Sequence, residues 1–222
     1  MGTWDNTAYL KESSLEKITS ALDALFAAEG RRRVEKPPSR RAGTEEPMQY
    51  EGGAKNPLWA VALIPGVDGW TAVKTAPLEL LCERPGGKSR LAALAKALGA
   101  PAFQLNLYDS ESLVLVEAAP DGKSMVSGFV GHADDDPTLY QGETIAETEA
   151  QFRLLQVPAE LSAAMASDDP IAAAFTAHSR LVFGEAWDGD EASSVDNRVQ
   201  VNVLIPHEDF GDGTALYYRY SS

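Results

Sequence analysis

Apolar residues in this chain follow two rhythms, one of 3.6 residues and one of two, and the switches between them outline a fold. In SSLEKITSALDALFAAEG, Leu15, Ile18, Leu22, Leu25 and Phe26 recur on one helical face. Ser13 and Glu16 have capping-box spacing, and Gly30 supplies a left-handed stop. NTAYLK before this helix and RRRVEK after it read as strands, so the chain opens β-α-β. PLWAVALIPGVDGWTAVKTAP predicts two strands around a PGVDG turn, and the scarcity of polar residues in Trp59–Ile64 predicts burial on both faces. SRLAALAKALGA is a second helix, with Leu91, Leu94, Ala95 and Leu98 on one face, Ser89 as N-cap and Gly99 as terminator. A meander follows from Phe103 to Val130, turning at DSES and PDGK.

These elements predict an α+β fold. Two βαββ-like units would build one antiparallel sheet with both helices on one face, leaving the other face open to a ligand or partner. Residues 37–57, rich in proline and glycine and without periodicity, predict a mobile loop inside a first domain spanning 1–130. Residues 131–222 predict an acidic helical region packed on that domain and closed by a strand pair, NRVQVNVLIP with TALYYRYSS. Within it, Thr144 and Glu147 again have capping-box spacing before TIAETEAQFRLLQ. Asp169 and Pro170 cap PIAAAFTAHSRLVFG.

Charge adds a second division to this picture. Residues 131–222 hold four Arg, no Lys and seventeen Asp/Glu, so −13 of the chain's formal −14 lies there. Such an excess repels nucleic acid and anionic membranes and attracts basic partners; it also serves plain solubility. The opposite sign gathers at Arg31, Arg32, Arg33, Lys36, Arg40 and Arg41. That cluster reads as a phosphate or acidic-partner site, as the solvated face of a strand and loop, or as an internal counterweight to the acidic region. No aromatic residue interleaves it to stack a base.

Hydrophobic residues make up 44% of the chain, ample for a core, and no apolar run is long enough for a membrane helix. The opening MGTWDNTAYLKES lacks the layout of a secretory leader, and Asn6 stands where a myristoylation signal wants Ser or Thr. The lone Cys82 cannot form an internal disulfide, which suits a reducing cytoplasm.

The densest candidate chemistry is GHADDDPTLYQGETIAETE, with Asp134, Asp135, Asp136, Glu143, Glu147, Glu149 and His132. Adjacent aspartates of an extended chain point to opposite sides, and no calcium-loop spacing is present, so the stretch reads as a helix start and a charged face rather than a metal site. Cys82 follows Leu80 and Leu81 and reads as a buried small residue; His178 falls in register with Ile171 and Phe175. His207, beside Glu208 and Asp209, reads as a surface loop histidine, with a proton shuttle as the alternative if the two carboxylates raise its pKa. Phosphate loops, zinc-protease spacings and nucleophile elbows are missing from the sequence.

Three functions fit these residues. The first is a non-enzymatic, cofactor-free interaction protein whose Asp134, Asp135, Asp136, Glu143 and Glu147 meet a basic protein, as an immunity protein, antitoxin or inhibitor would. The second is a small-molecule domain in which Trp59, Trp70, Phe103, Tyr108 or Phe129 line the open sheet face and Glu117 or Lys74 fixes the ligand. The third is a hydrolase using a carboxylate with His207, for which no nucleophile–base pair is visible.

Overall fold

The computed structural model describes residues 5–12, 14–35, 58–66, 68–76, 80–81, 89–108, 112–130, 144–145, 159–169, 173–174, 176–177, 180 and 213–220. Helix α2, Arg90–Leu98, begins and ends where its sequence predicts. Ser89 Oγ accepts from the Ala92 amide at 3.3 Å, and Gly99 adopts a left-handed φ of 64°. Helix α1, Leu15–Ala27, starts one residue later than the capping-box spacing predicts. Its N-cap is Ser14, whose Oγ accepts from the Lys17 amide at 3.3 Å. The reason is upstream: Glu12 Oε1 accepts from the Ser14 amide at 2.9 Å. The N-cap amide is thus satisfied from outside the helix at Ser14, where the third helical residue, Lys17, has no acceptor to offer it. Glu16 remains in the first turn, where the helix dipole favours a negative charge.

Eight strands form one antiparallel sheet: β1 (Asp5–Leu10), β2 (Arg31–Val34), β3 (Trp59–Pro65), β4 (Thr71–Ala76), β5 (Ala102–Tyr108), β6 (Ser112–Ala118), β7 (Ser124–Val130) and β9 (Thr214–Tyr220). A two-residue strand β8, Thr144–Ile145, joins β7 in parallel. The spatial order is β2-β9-β3-β4-β1-β5-β6-β7-β8, so the first strand lies mid-sheet between β4 and β5. The β3–β4 connection reverses through Asp68 and Gly69, both at positive φ (53° and 76°), as a right-twisted hairpin requires.

Both helices cover one face. Ile18, Leu22 and Phe26 from α1 and Leu91, Leu94 and Ala95 from α2 pack against Ala8, Val61, Leu63, Val73, Val114, Val116, Leu216 and Tyr218. Over its central strands the opposite face is buried too. Tyr9, Ala60, Ala62, Lys74, Phe103, Leu105, Leu115 and Glu117 are each at most 2% exposed, so the open sheet face expected from the layout is not found there.

Two further expectations change. Thr144 and Ile145 do not start a helix; they pair with Met125 and Val126. Both are β-branched, and the outer edge of β7 offers backbone partners that a helix start would have to find in its own caps. Nor does the last strand close a separate hairpin over its central residues. Tyr217 and Tyr218 are paired with β2 on one side and β3 on the other, which leaves no edge there for residues 197–206. That proposed partner segment lies outside the described residues, as does the loop 37–57.

After Pro158, helix α3 spans Ala159–Met165. Residues 173–174, 176–177 and 180 are helical as predicted, and Arg180 approaches Glu160 at 3.8 Å.

Candidate functional site

Asp134, Asp135, Asp136, Glu143 and Glu147, with Cys82 and all three histidines, lie outside the described residues. Among the described residues no three His, Cys, Asp or Glu side chains gather as metal ligands, and no helix is long and apolar enough to cross a membrane.

The aromatic residues considered for a ligand face divide between the two sides of the sheet, for a reason of parity. Trp59 is cross-strand from Tyr218 and faces the helices, where Phe26 meets both rings edge-on at 5.2 and 4.7 Å. Phe103 is cross-strand from Tyr9 and Glu117 on the other face. There it stacks on Tyr9 at 4.5 Å and meets Trp70 edge-on at 5.2 Å. Lys11 Nζ lies 4.9 Å from the Trp70 ring centroid and donates to the Asp68 carbonyl at 2.6 Å. Lys74, opposite Thr7, shares this face with Glu117, and both are fully buried. The structure therefore brings together Trp70, Phe103, Tyr9 and Glu117, and separates Trp59 from them. The backbone of Tyr108 ends β5 opposite Ser112; its side chain and that of Phe129 lie outside the described residues.

A second polar constellation surrounds Trp59. The Arg31 guanidinium sits 3.3 Å from the Trp59 ring centroid and 4.0 Å from that of Tyr220; the Arg90 guanidinium lies 4.6 Å from Trp59. Arg90 grips Glu29 with two bonds, Nε to Oε1 at 2.8 Å and Nη2 to Oε2 at 2.6 Å, and donates Nη1 to the Leu80 carbonyl at 2.8 Å. Burial holds the Arg31 pKa below its ordinary value; Arg90's charge acts in the same direction, while Tyr220 and Glu29 oppose it. Both arginines are almost wholly buried, so the constellation works as an internal clamp joining α1, α2 and the β2–β9–β3 end of the sheet. Sequence reasoning passed over Arg90 and Glu29. One signal was present: an arginine at the first residue of a helix stands against the dipole, and such a misplaced charge calls for a partner.

The basic cluster resolves in part. Arg31 is the buried member, Arg32 and Arg33 are exposed, and Arg33 Nη1 lies 3.5 Å from Asp23 Oδ2. β2 is an end strand of the described sheet, and charged side chains on such an edge discourage pairing with other chains. Lys36, Arg40 and Arg41 lie outside the described residues.

The other oxygen of Asp23, Oδ1, accepts from the Tyr218 hydroxyl at 2.9 Å. Burial first, and then the Asp23 carboxylate, push the Tyr218 pKa far upward. A raised folded-state pKa means that the folded chain holds a proton which the unfolded chain releases above about pH 10. The stability contributed is complete below that pH and is lost as pH rises past it. Tyr218→Phe is expected to be about 1 kcal/mol less stable than wild type at pH 8. By pH 11 that gap closes in urea titrations; a gap of the same size at both pH values would disprove the assignment.

No family model, curated protein or solved structure matches this chain.

Proposed function

We propose that this chain is a non-enzymatic interaction protein of the cytoplasm. Its acidic C-terminal face, carrying Asp134, Asp135, Asp136, Glu143 and Glu147, binds a basic protein partner in the manner of an immunity protein, antitoxin or inhibitor. The observation that carries this reading is the segregation of charge, with seventeen Asp/Glu against four Arg in residues 131–222. Supporting it, Tyr9, Trp59, Trp70 and Phe103 on the described sheet are engaged by neighbouring rings and cations of the same chain. In this reading residues 1–130 form a scaffold of two βαββ-like units, and residues 131–222 pack on it as the binding region.

One observation favours a second reading, that of a small-molecule domain. Lys74 and Glu117 place an amine and a carboxyl group on the buried face opposite α1 and α2, near the Tyr9–Phe103–Trp70 stack. A few fixed polar groups among aromatic rings suit an oriented ligand.

The test is capture from a lysate of the source cell at low and high salt, with wild type and with a variant in which Asp134, Asp135 and Asp136 become Asn and Glu143 and Glu147 become Gln. A partner held by wild type at low salt, and lost both in the variant and at high salt, is the expected result. A partner indifferent to both changes overturns the acidic face. Capture of nothing, with a small molecule that shifts tryptophan fluorescence independently of salt, moves the function to the second reading.

A further inference from the structure

On the helix-covered face, where nearly every side chain is apolar, β1 and β5 place three amides together. Asn6 is directly cross-strand from Asn106, and Gln104 is cross-strand from Ala8, one diagonal step from Asn6. All three are at most 2% exposed. Asn106 Nδ2 reaches the Val114 carbonyl at 3.5 Å, whereas Asn6 Nδ2 and Gln104 Oε1 are buried with no hydrogen-bond partner. One is a donor and the other an acceptor. Burying either without a partner costs about 1–3 kcal/mol, which native interiors rarely leave uncompensated.

We propose that Asn6 and Gln104 form a binding site for a single internal water molecule, which accepts from Asn6 Nδ2 and donates to Gln104 Oε1. Diagonal neighbours on adjacent strands have Cα atoms about 7–8 Å apart, and two amide side chains shorten that span. One water covers about 5–6 Å between its two partners, the sum of two ordinary hydrogen bonds. The adjacent positions Ala8 and Ala102 carry only methyl groups, and the Asn106 amide adds a third polar neighbour, within the two to four that buried waters keep. The chemical class is narrow: a small neutral molecule able to accept and donate at once between two uncharged amides.

The sign of a mutational effect tests this. If the two amides are orphans, replacing either with an apolar isostere removes a buried unsatisfied group and stabilises the protein. If water bridges them, replacing one strands the other. Asn6→Leu alone and Gln104→Met alone are each expected to raise the unfolding equilibrium constant about tenfold, and the double variant to return close to wild type. Magnetic relaxation dispersion of the solvent should count one fewer long-lived water in each variant than in the wild-type chain. Stabilisation by either single substitution overturns the proposal. So does destabilisation with an unchanged water count, which would mean that the two amides bond each other directly. If the double variant does not fold, the single variants decide the matter by the same two readouts.

Discussion

Arg90→Ala is expected to lower the unfolding free energy by about 3 kcal/mol, the low end of what breaking a buried ion pair costs. Arg90 makes a bidentate pair with Glu29, bonds the Leu80 carbonyl and lies against the Trp59 ring. Its side chain is 5% exposed and that of Glu29 19%, so the stranded carboxylate can turn partly towards water, which limits the loss. Glu29→Gln keeps an oxygen acceptor for the guanidinium and should cost only about 1 kcal/mol. Urea midpoints of both variants check the ordering. Equal losses from the two substitutions would mean that the ion pair, rather than the contact of Arg90 with Trp59 and Leu80, holds the clamp.

Phe26→Ala is expected to cost about 3–5 kcal/mol, the range for emptying an aromatic core site. Phe26 is fully buried and meets Trp59 and Tyr218 edge-on, so the lost ring leaves a cavity bordered by two rigid neighbours that collapse poorly. Phe26→Leu refills much of that volume and should recover a large part of the loss. Thermal unfolding of the pair reads both. A loss under about 1 kcal/mol for the alanine variant would show that α1 can settle onto the sheet without its anchor.

These two residues differ in how visible they are beforehand. Phe26 is announced by the helical period that places it with Ile18 and Leu22. Arg90 is not, because its partner Glu29 lies 61 residues away and no local pattern links them. The candidate ligand residues show the same limit. Alternation marks Trp59 and Phe103 as sheet residues, yet which side each occupies follows from pairings with Tyr218 and with Tyr9. The acidic residues of the proposed binding face are legible as composition alone. Charge can be counted along a chain, whereas the geometry of a charged surface is made by the fold.

What the sequence by itself determined is therefore local. It set the body of α1 and both ends of α2, the turn at Asp68 and Gly69, the strands of the meander, and the confinement of negative charge to residues 131–222. Backbone sterics, capping bonds and side-chain periodicity act over a few residues, so a short window contains their cause. Tertiary structure alone decided that β9 enters between β2 and β3, that Thr144 and Ile145 extend beside β7, and that both faces of the sheet are buried over its central strands. Each of those outcomes depends on which distant strand supplies backbone partners and which surface covers a side chain. That choice is made by burial summed over contacts remote in sequence, where local preference is only a weak bias.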